Sequence, residues 1–136
     1  MKPKVYWAGP LFSDAEREWN EKQVSRLEAL GYEVYLPQRD TEQQATANDI
    51  YLQDKIGVDC SDIVVAVCDG ADMDSGTAWE CGYAKGKDKK VFTLRTDFRK
   101  LGEKPGEQIN LMISQSADQN CVSLEQVIGL LKLLYG

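Results

Sequence analysis

Asp62-Ile-Val-Val-Ala-Val-Cys68, followed directly by Asp69-Gly-Ala-Asp-Met-Asp-Ser-Gly-Thr-Ala-Trp-Glu-Cys-Gly-Tyr-Ala-Lys-Gly-Lys87, is the passage on which the reading of this chain turns. Its first part is an apolar, β-branched run of strand length, which suits a fully buried parallel strand. The strand runs out into acids: Asp69, Asp72 and Asp74 surround Gly70 in a turn. Asp74 or Ser75 can then cap a helix that turns Ala78, Cys81, Gly82 and Ala84 towards the sheet. Acids at a helix start are ordinary capping and dipole chemistry, so Asp72 and Asp74 carry that reading beside a catalytic one. Glu80 is different. It lies about one and a half turns into the helix, on a face shared with Gly76, Thr77, Tyr83 and Ala84, which fits a cavity better than a charged surface. Because ligands of open α/β sheets bind beyond the carboxyl ends of the strands, this corner is the candidate active site.

Working outward, the chain alternates strand and helix. Lys4–Ala8 reads as a strand ending at Gly9-Pro10, and Ser13-Asp-Ala-Glu16 is a capping box that opens a helix with Trp19, Val24, Leu27 and Leu30 inward and Gly31 as its stop. Glu33–Leu36 is a second strand ended by Pro37, and the polar stretch from Gln38 to Thr46, without periodicity, reads as a loop. A helix over about residues 48–60 leads into the central strand, and the Asp74 helix leads into a fourth strand at Lys90–Leu94. The charged, glycine-rich segment 96–106 precedes a short helix around 107–114. A weak strand near 120–122 and a helix capped by Ser123-Leu-Glu-Gln126 complete the chain. Such alternation predicts an α/β fold, a flavodoxin-like doubly wound five-stranded parallel sheet, in a single domain spanning residues 1–136.

Composition excludes several function classes. A net charge of −6 argues against a nucleic-acid partner, which needs concentrated Lys and Arg. The basic cluster from Lys85 to Lys90 reads as cations at a helix C-terminus. Apolar runs fall far below the roughly 18 residues of a membrane span, and no signal-peptide pattern opens the chain, so no membrane partner and a cytoplasmic location are expected. The four cysteines, Cys60, Cys68, Cys81 and Cys121, show no C-x-x-C spacing and read as reduced thiols. The sequence has no histidine, which rules out Ser-His or Cys-His catalysis and a His-based zinc site. A magnesium site on Asp69, Asp72 and Asp74 finds no support in a Walker loop or G-x-G-x-x-G. Chemistry must rest on carboxylates, with no metal or cofactor expected.

Helical geometry singles out one more acid. Asp54 projects between Ile50, Gly57 and Val58 on the stripe of its helix that should turn inward. A carboxylate there is either paired with a neighbour such as Lys55 or Tyr51, or it does chemistry; an apolar setting would raise its pKa, as a proton donor requires.

The residues resemble the nucleoside 2-deoxyribosyltransferase family over most of the chain. Val5-Tyr-Trp-Ala-Gly-Pro-Leu-Phe12, Ser61-Asp-Ile-Val-Val-Ala-Val67, Asp74-Ser-Gly-Thr-Ala-Trp-Glu-Cys-Gly-Tyr-Ala84 and Asn110-Leu-Met112 match family blocks in order. The resemblance implies that Glu80 is the nucleophile, and that Asp74 and Asp54 are active-site aspartates acting on the base. It implies substrate contacts from Tyr6, Gly9, Phe12 and Gln38. It also implies that Asn110, with Met112 beside it, holds the sugar 5′-hydroxyl in a neighbouring subunit's pocket, so that the working protein is a homo-oligomer. The activity implied is transfer of a 2-deoxyribosyl group between nucleobases in nucleoside salvage, through a glycosyl ester on Glu80, with deoxynucleosides and free nucleobases as partners. Two rivals stand beside it. One is an N-glycosidase of 2′-deoxynucleoside 5′-monophosphates, against which the loop Gly9–Ser13 offers no arginine for a phosphate. The other is a non-catalytic nucleotide or protein-binding module, since a fold alone does not fix function.

Overall fold

Every residue of the central strand, Ile63–Val67, is buried, as a strand covered by helices on both faces must be. The computed structural model describes residues 1–102, 104 and 107–136; Glu103, Pro105 and Gly106, part of the charged segment 96–106, lie outside the described residues. In chain order the elements are β1 (Lys4–Ala8), α1 (Asp14–Ala29), β2 (Glu33–Tyr35), α2 (Pro37–Asp40), α3 (Ala47–Asp59), β3 (Ile63–Val67), α4 (Ser75–Gly86), β4 (Lys90–Leu94), α5 (Leu111–Ser116), β5 (Gln119–Cys121) and α6 (Leu124–Tyr135). The five strands are ordered β2-β1-β3-β4-β5, and every pairing is parallel. This is the flavodoxin-like order, with its switch point between β1 and β3.

Strand alternation sorts the core into two layers. Val5, Trp7, Ile63, Val65, Val67, Phe92 and Leu94 pack with Val24 and Leu27 of α1 and Leu124, Val127 and Leu131 of α6. Tyr6, Ala8, Val64, Ala66 and Cys68 face the other way, against Val58 of α3 and Cys81 and Ala84 of α4. At about 1.5–3 kcal/mol for each large side chain fully buried, the first layer carries most of the stability. The second layer is built from smaller groups, which draws α3 and α4 close over the carboxyl ends of β1 and β3. Cys68, Cys81 and Cys121 are buried free thiols and Cys60 is an exposed one.

The helix starts follow their capping signals. Ser13 and Glu16 form the reciprocal capping box, Asp74 caps α4, Thr46 caps α3 and Ser123 caps α6. Gly31, at φ +92°, takes the left-handed turn that ends α1. Two segments differ from the sequence reading. The stretch after Pro37 opens with a single helical turn, α2, in which Pro37 presets the first position and the Asp40 carboxylate accepts from the Leu36 amide at 2.8 Å. One turn is too short to show a period. The short helix expected around 107–114 begins instead at Leu111 behind an Asn110 cap, because Ile109 is drawn into the core of the second layer.

Candidate active site

Asp74 and Glu80 owe their positions to the start of α4. One Asp74 oxygen, Oδ2, accepts from both the amide and the hydroxyl of Thr77, each at 2.9 Å, which fixes the carboxylate at the helix N-terminus where its charge is favoured. Glu80, further along the same helix, is half-buried and points back at the sheet. There the Tyr6 hydroxyl, on the second-layer face of β1, donates a short hydrogen bond to Glu80 Oε2. Burial pushes the Glu80 carboxyl up to about 7, with the charges of Asp54 and Asp74 adding to the rise and the Tyr6 bond opposing it. Burial and the carboxylates of Glu80 and Asp54 hold the Tyr6 phenol far above its ordinary range. Tyr6 therefore remains a donor throughout the neutral range.

Asp54 enters the same corner from α3. Its Oδ1 accepts from the Thr41 hydroxyl at 2.5 Å. Burial raises its pKa and the Thr41 bond partly offsets the rise. Thr41 also touches the Tyr35 hydroxyl at 2.5 Å, and the Tyr35 ring stacks on Tyr6 with centroids 5.4 Å apart and planes 9° from parallel. The stack fits beneath α3 only because residue 57 is glycine: a Cβ there would come within 3.0 Å of both rings.

These acids open into a cavity of about 450 Å³ at the carboxyl ends of β1 and β3, lined on its polar side by Asp54, Asp74, Glu80 and Lys55. Its other walls are Gly9, Leu11 and Phe12 from the turn after β1, Pro37, Ile50, and the aromatic rings of Tyr51 and Trp79. Phe12, Tyr51 and Trp79 are all substantially exposed; Tyr51 meets Trp79 edge to face at 5.6 Å, and Trp79 stacks on Tyr83 at 5.1 Å. Apolar aromatic walls around a few convergent carboxylates suit a flat heteroaromatic ligand joined to a polar group. Gly9 lets its turn lie against the sheet, since a Cβ would sit 3.0 Å from Val67.

Of the residues singled out in the sequence, Glu80, Asp74, Asp54, Gly9 and Phe12 line this one cavity, and Tyr6 lies behind its wall, bonded to Glu80. Gln38 is elsewhere occupied. Its amide nitrogen donates to the Arg17 carbonyl at 2.9 Å and its oxygen accepts from Asn20, which in turn accepts from the Trp7 indole. Asn110 and Met112 lie at the start of α5 outside the cavity lining; the Asn110 side chain accepts from the Met112 amide, and Met112 is 70% exposed. Asp69 and Asp72 serve the turn: Asp69 accepts from the Thr96 amide and hydroxyl and from the Asp97 amide, and Asp72 from the Met73 amide. Among the described residues no group of acids or cysteines is arranged to hold a metal ion, and no helix is long and apolar enough to cross a membrane. Thr41, Tyr35 and Trp79 were not singled out from the sequence, and Lys55 and Tyr51 were read only as local partners of Asp54, whose carboxyl instead accepts from Thr41. Tyr51 and Lys55 flank Asp54 and Trp79 precedes Glu80, so proximity to the two acids was the available signal; Thr41 and Tyr35 carried none.

The family model for nucleoside 2-deoxyribosyltransferase matches residues 5–112. The chain belongs to the nucleoside 2-deoxyribosyltransferase family. No curated protein matches the sequence. Among solved structures, a conserved protein from Enterococcus faecalis is 30% identical, covering 98% of this chain and 99% of that one, with a TM-score of 0.84. A 2-deoxyribosyltransferase from Bacillus psychrosaccharolyticus is 26% identical over 91% of this chain and 89% of its own, with a TM-score of 0.75. The fold also extends to a CMP N-glycosidase from Clostridium botulinum, 18% identical over 96% of this chain and 98% of that one, with a TM-score of 0.59. The deoxyribosyltransferase family thus accounts for the five-stranded sheet and directs attention to N-glycosidic bonds.

Proposed function

We propose that this protein transfers a 2-deoxyribosyl group from one nucleobase to another through a covalent ester on Glu80. The observation that carries the reading is the convergence of Glu80, Asp54 and Asp74 on one aromatic-walled cavity at the switch point of the sheet. The Glu80 carboxylate attacks C1′ as the C1′–N bond breaks, and the electron pair of that bond leaves with the base. Asp54 protonates the departing ring nitrogen. It suits this role better than Asp74, because burial favours its neutral form, whereas the Asp74 oxygen that caps α4 is already engaged by the amide and hydroxyl of Thr77. Asp74 then orients the base. A second base enters, its ring nitrogen attacks C1′, Glu80 leaves as carboxylate and the spare proton returns to Asp54. Two displacements retain configuration.

Homo-oligomerisation belongs to the same proposal, with Asn110 and Met112 contributed to a neighbour's pocket and the protein working in nucleoside salvage in the cytoplasm. Hydrolysis of a deoxynucleoside monophosphate is the second reading, and one feature favours it: Lys55 puts a cation on the cavity wall. The test is incubation with deoxyinosine or thymidine, with and without free adenine, beside dAMP alone. Formation of deoxyadenosine only when adenine is present supports transfer. Release of adenine from dAMP supports the hydrolase, and inertness towards all of them rejects both.

A further inference from the structure

Among the described residues, the Asp54 carboxyl accepts its one hydrogen bond from a hydroxyl. Thr41, 4% exposed, donates its hydrogen to Asp54 Oδ1 across 2.5 Å. The Tyr35 hydroxyl lies 2.5 Å from the same Thr41 oxygen. A threonine hydroxyl has one hydrogen, so with that hydrogen committed to Asp54 the bond from Tyr35 must run towards Thr41. Tyr35 is itself held in place, stacked on Tyr6 and pressed against Gly57. The result is a directed relay, Tyr35 to Thr41 to Asp54, anchored on the ring whose neighbour, Tyr6, holds Glu80.

We propose that Thr41, backed by Tyr35, is the positioning residue for Asp54, fixing the plane of its carboxyl and reserving Oδ2 as the oxygen that carries the transferable proton. The inference rests on the reading of Asp54 as the acid that serves the base. A carboxyl whose Oδ1 already accepts from a committed hydroxyl holds its own proton on Oδ2, which accepts no hydrogen bond among the described residues. During cleavage the proton passes from Oδ2 to the ring nitrogen as that nitrogen takes the electron pair of the C1′–N bond. Asp54 becomes a carboxylate, and the Thr41 bond becomes charge-assisted and stronger. Thr41 thus favours the state after proton transfer over the state before it. When the second base gives its proton back, the same geometry returns it to Oδ2.

Glu80, Asp74 and Lys55 share the cavity with Asp54 and Tyr35 stands behind it, so the limb of the kcat/KM–pH profile belonging to Asp54 is identified as the one that Asp54→Asn abolishes. Thr41→Val removes the hydroxyl and keeps the branched shape; Thr41→Ser keeps the hydroxyl. Thr41→Val should move that limb to higher pH and lower kcat about tenfold on deoxyinosine, while an N7-alkylated purine deoxynucleoside, whose base leaves without a proton, stays within about twofold. Thr41→Ser should restore both. Equal losses on the two substrates with an unmoved limb, or a Thr41→Val profile identical to wild type, overturns the proposal. If the wild-type protein cleaves no glycosidic bond, the proposed function fails first, and carboxyl NMR titration of Asp54 still decides this inference: its pKa rises in Thr41→Val or the relay is not there. Should Thr41→Val fail to fold, Tyr35→Phe, which lets the Thr41 hydrogen rotate, should show the same direction of change, and an unshifted Asp54 in that variant overturns the proposal.

Discussion

Glu80 is held where its ionised form is least comfortable, and this has a consequence for stability as well as for chemistry. Its carboxyl is pushed up to about 7 chiefly by burial, against about 4.3 for a free glutamate side chain. Below the unfolded value the group is neutral in both states and costs nothing. As pH rises from there through about 7, the unfolded chain releases its proton while the folded protein retains it, so stability falls across that window, by at most about 4 kcal/mol. Glu80→Gln keeps an oxygen for the Tyr6 hydroxyl but cannot ionise. Urea denaturation should therefore find the variant more stable than wild type at about pH 8 and close to it at about pH 4; a gap that does not change with pH would contradict the burial argument. The same variant should lose transfer activity almost entirely, since an amide cannot form the ester, and residual turnover of more than about a few per cent would remove Glu80 from the nucleophile's role. Tyr6→Phe, which deletes the bond that lowers the Glu80 pKa, should raise that pKa further, seen as an upward shift in the carboxyl titration.

At the scale of elements, the site depends on how closely α3 approaches the β1–β2 edge, and that is set by Gly57. In a helix interior Gly→Ala ordinarily gains about 1 kcal/mol. Here the new Cβ would stand 3.0 Å from Tyr6 and Tyr35 ring carbons, and overpacking of this kind costs about 1–3 kcal/mol. The clash should win: Gly57→Ala is expected to be less stable than wild type in urea and to lose activity because both Glu80 and Asp54 hang on the displaced rings. A stabilised, fully active Gly57→Ala protein would show that the stack yields freely. The same element explains what the sequence could reveal. Asp54 was legible because a carboxylate on an inward helical stripe breaks a 3.6-residue pattern, and Glu80 because it lies too deep in α4 for a cap. Thr41 was not legible, for it follows a single turn of helix in a polar stretch and its burial is a tertiary fact. Gln38, a substrate contact by the resemblance, has its side-chain amide bonded to the Arg17 carbonyl and the Asn20 side chain, and a buried asparagine on α1 has no sequence signature apart from interrupting an apolar stripe. The strands and their order were readable because buried parallel strands and crossover helices differ in length and composition; the register and the meeting of α3 with α4 come only from packing.

For the whole molecule, the question is what covers the open side of the cavity. Phe12, Tyr51 and Trp79 leave apolar aromatic surface exposed at its mouth, and Met112 is exposed on α5, a distribution that favours association over a free monomer in water. In the proposed oligomer, a two-fold contact that brought α5 of one copy to the mouth of the other would bury both surfaces at once and set Asn110 at the neighbour's pocket. Asn110→Ala is a poor probe, because that side chain also caps α5 and its loss costs about 1 kcal/mol; Asn110→Ser keeps a capping oxygen and shortens the reach. Glu80→Ala and Asn110→Ser subunits, each expected to be inactive or nearly so alone, should regain transfer when mixed and allowed to exchange. In a hybrid dimer one pocket carries both lesions and the other carries neither, so activity should approach about a quarter of wild type at equal mixing, since half of the dimers are hybrids and each has one intact pocket. Sedimentation must show an oligomer at assay concentration. No recovery despite confirmed exchange, or full activity from a monomer, would mean that each chain completes its own site.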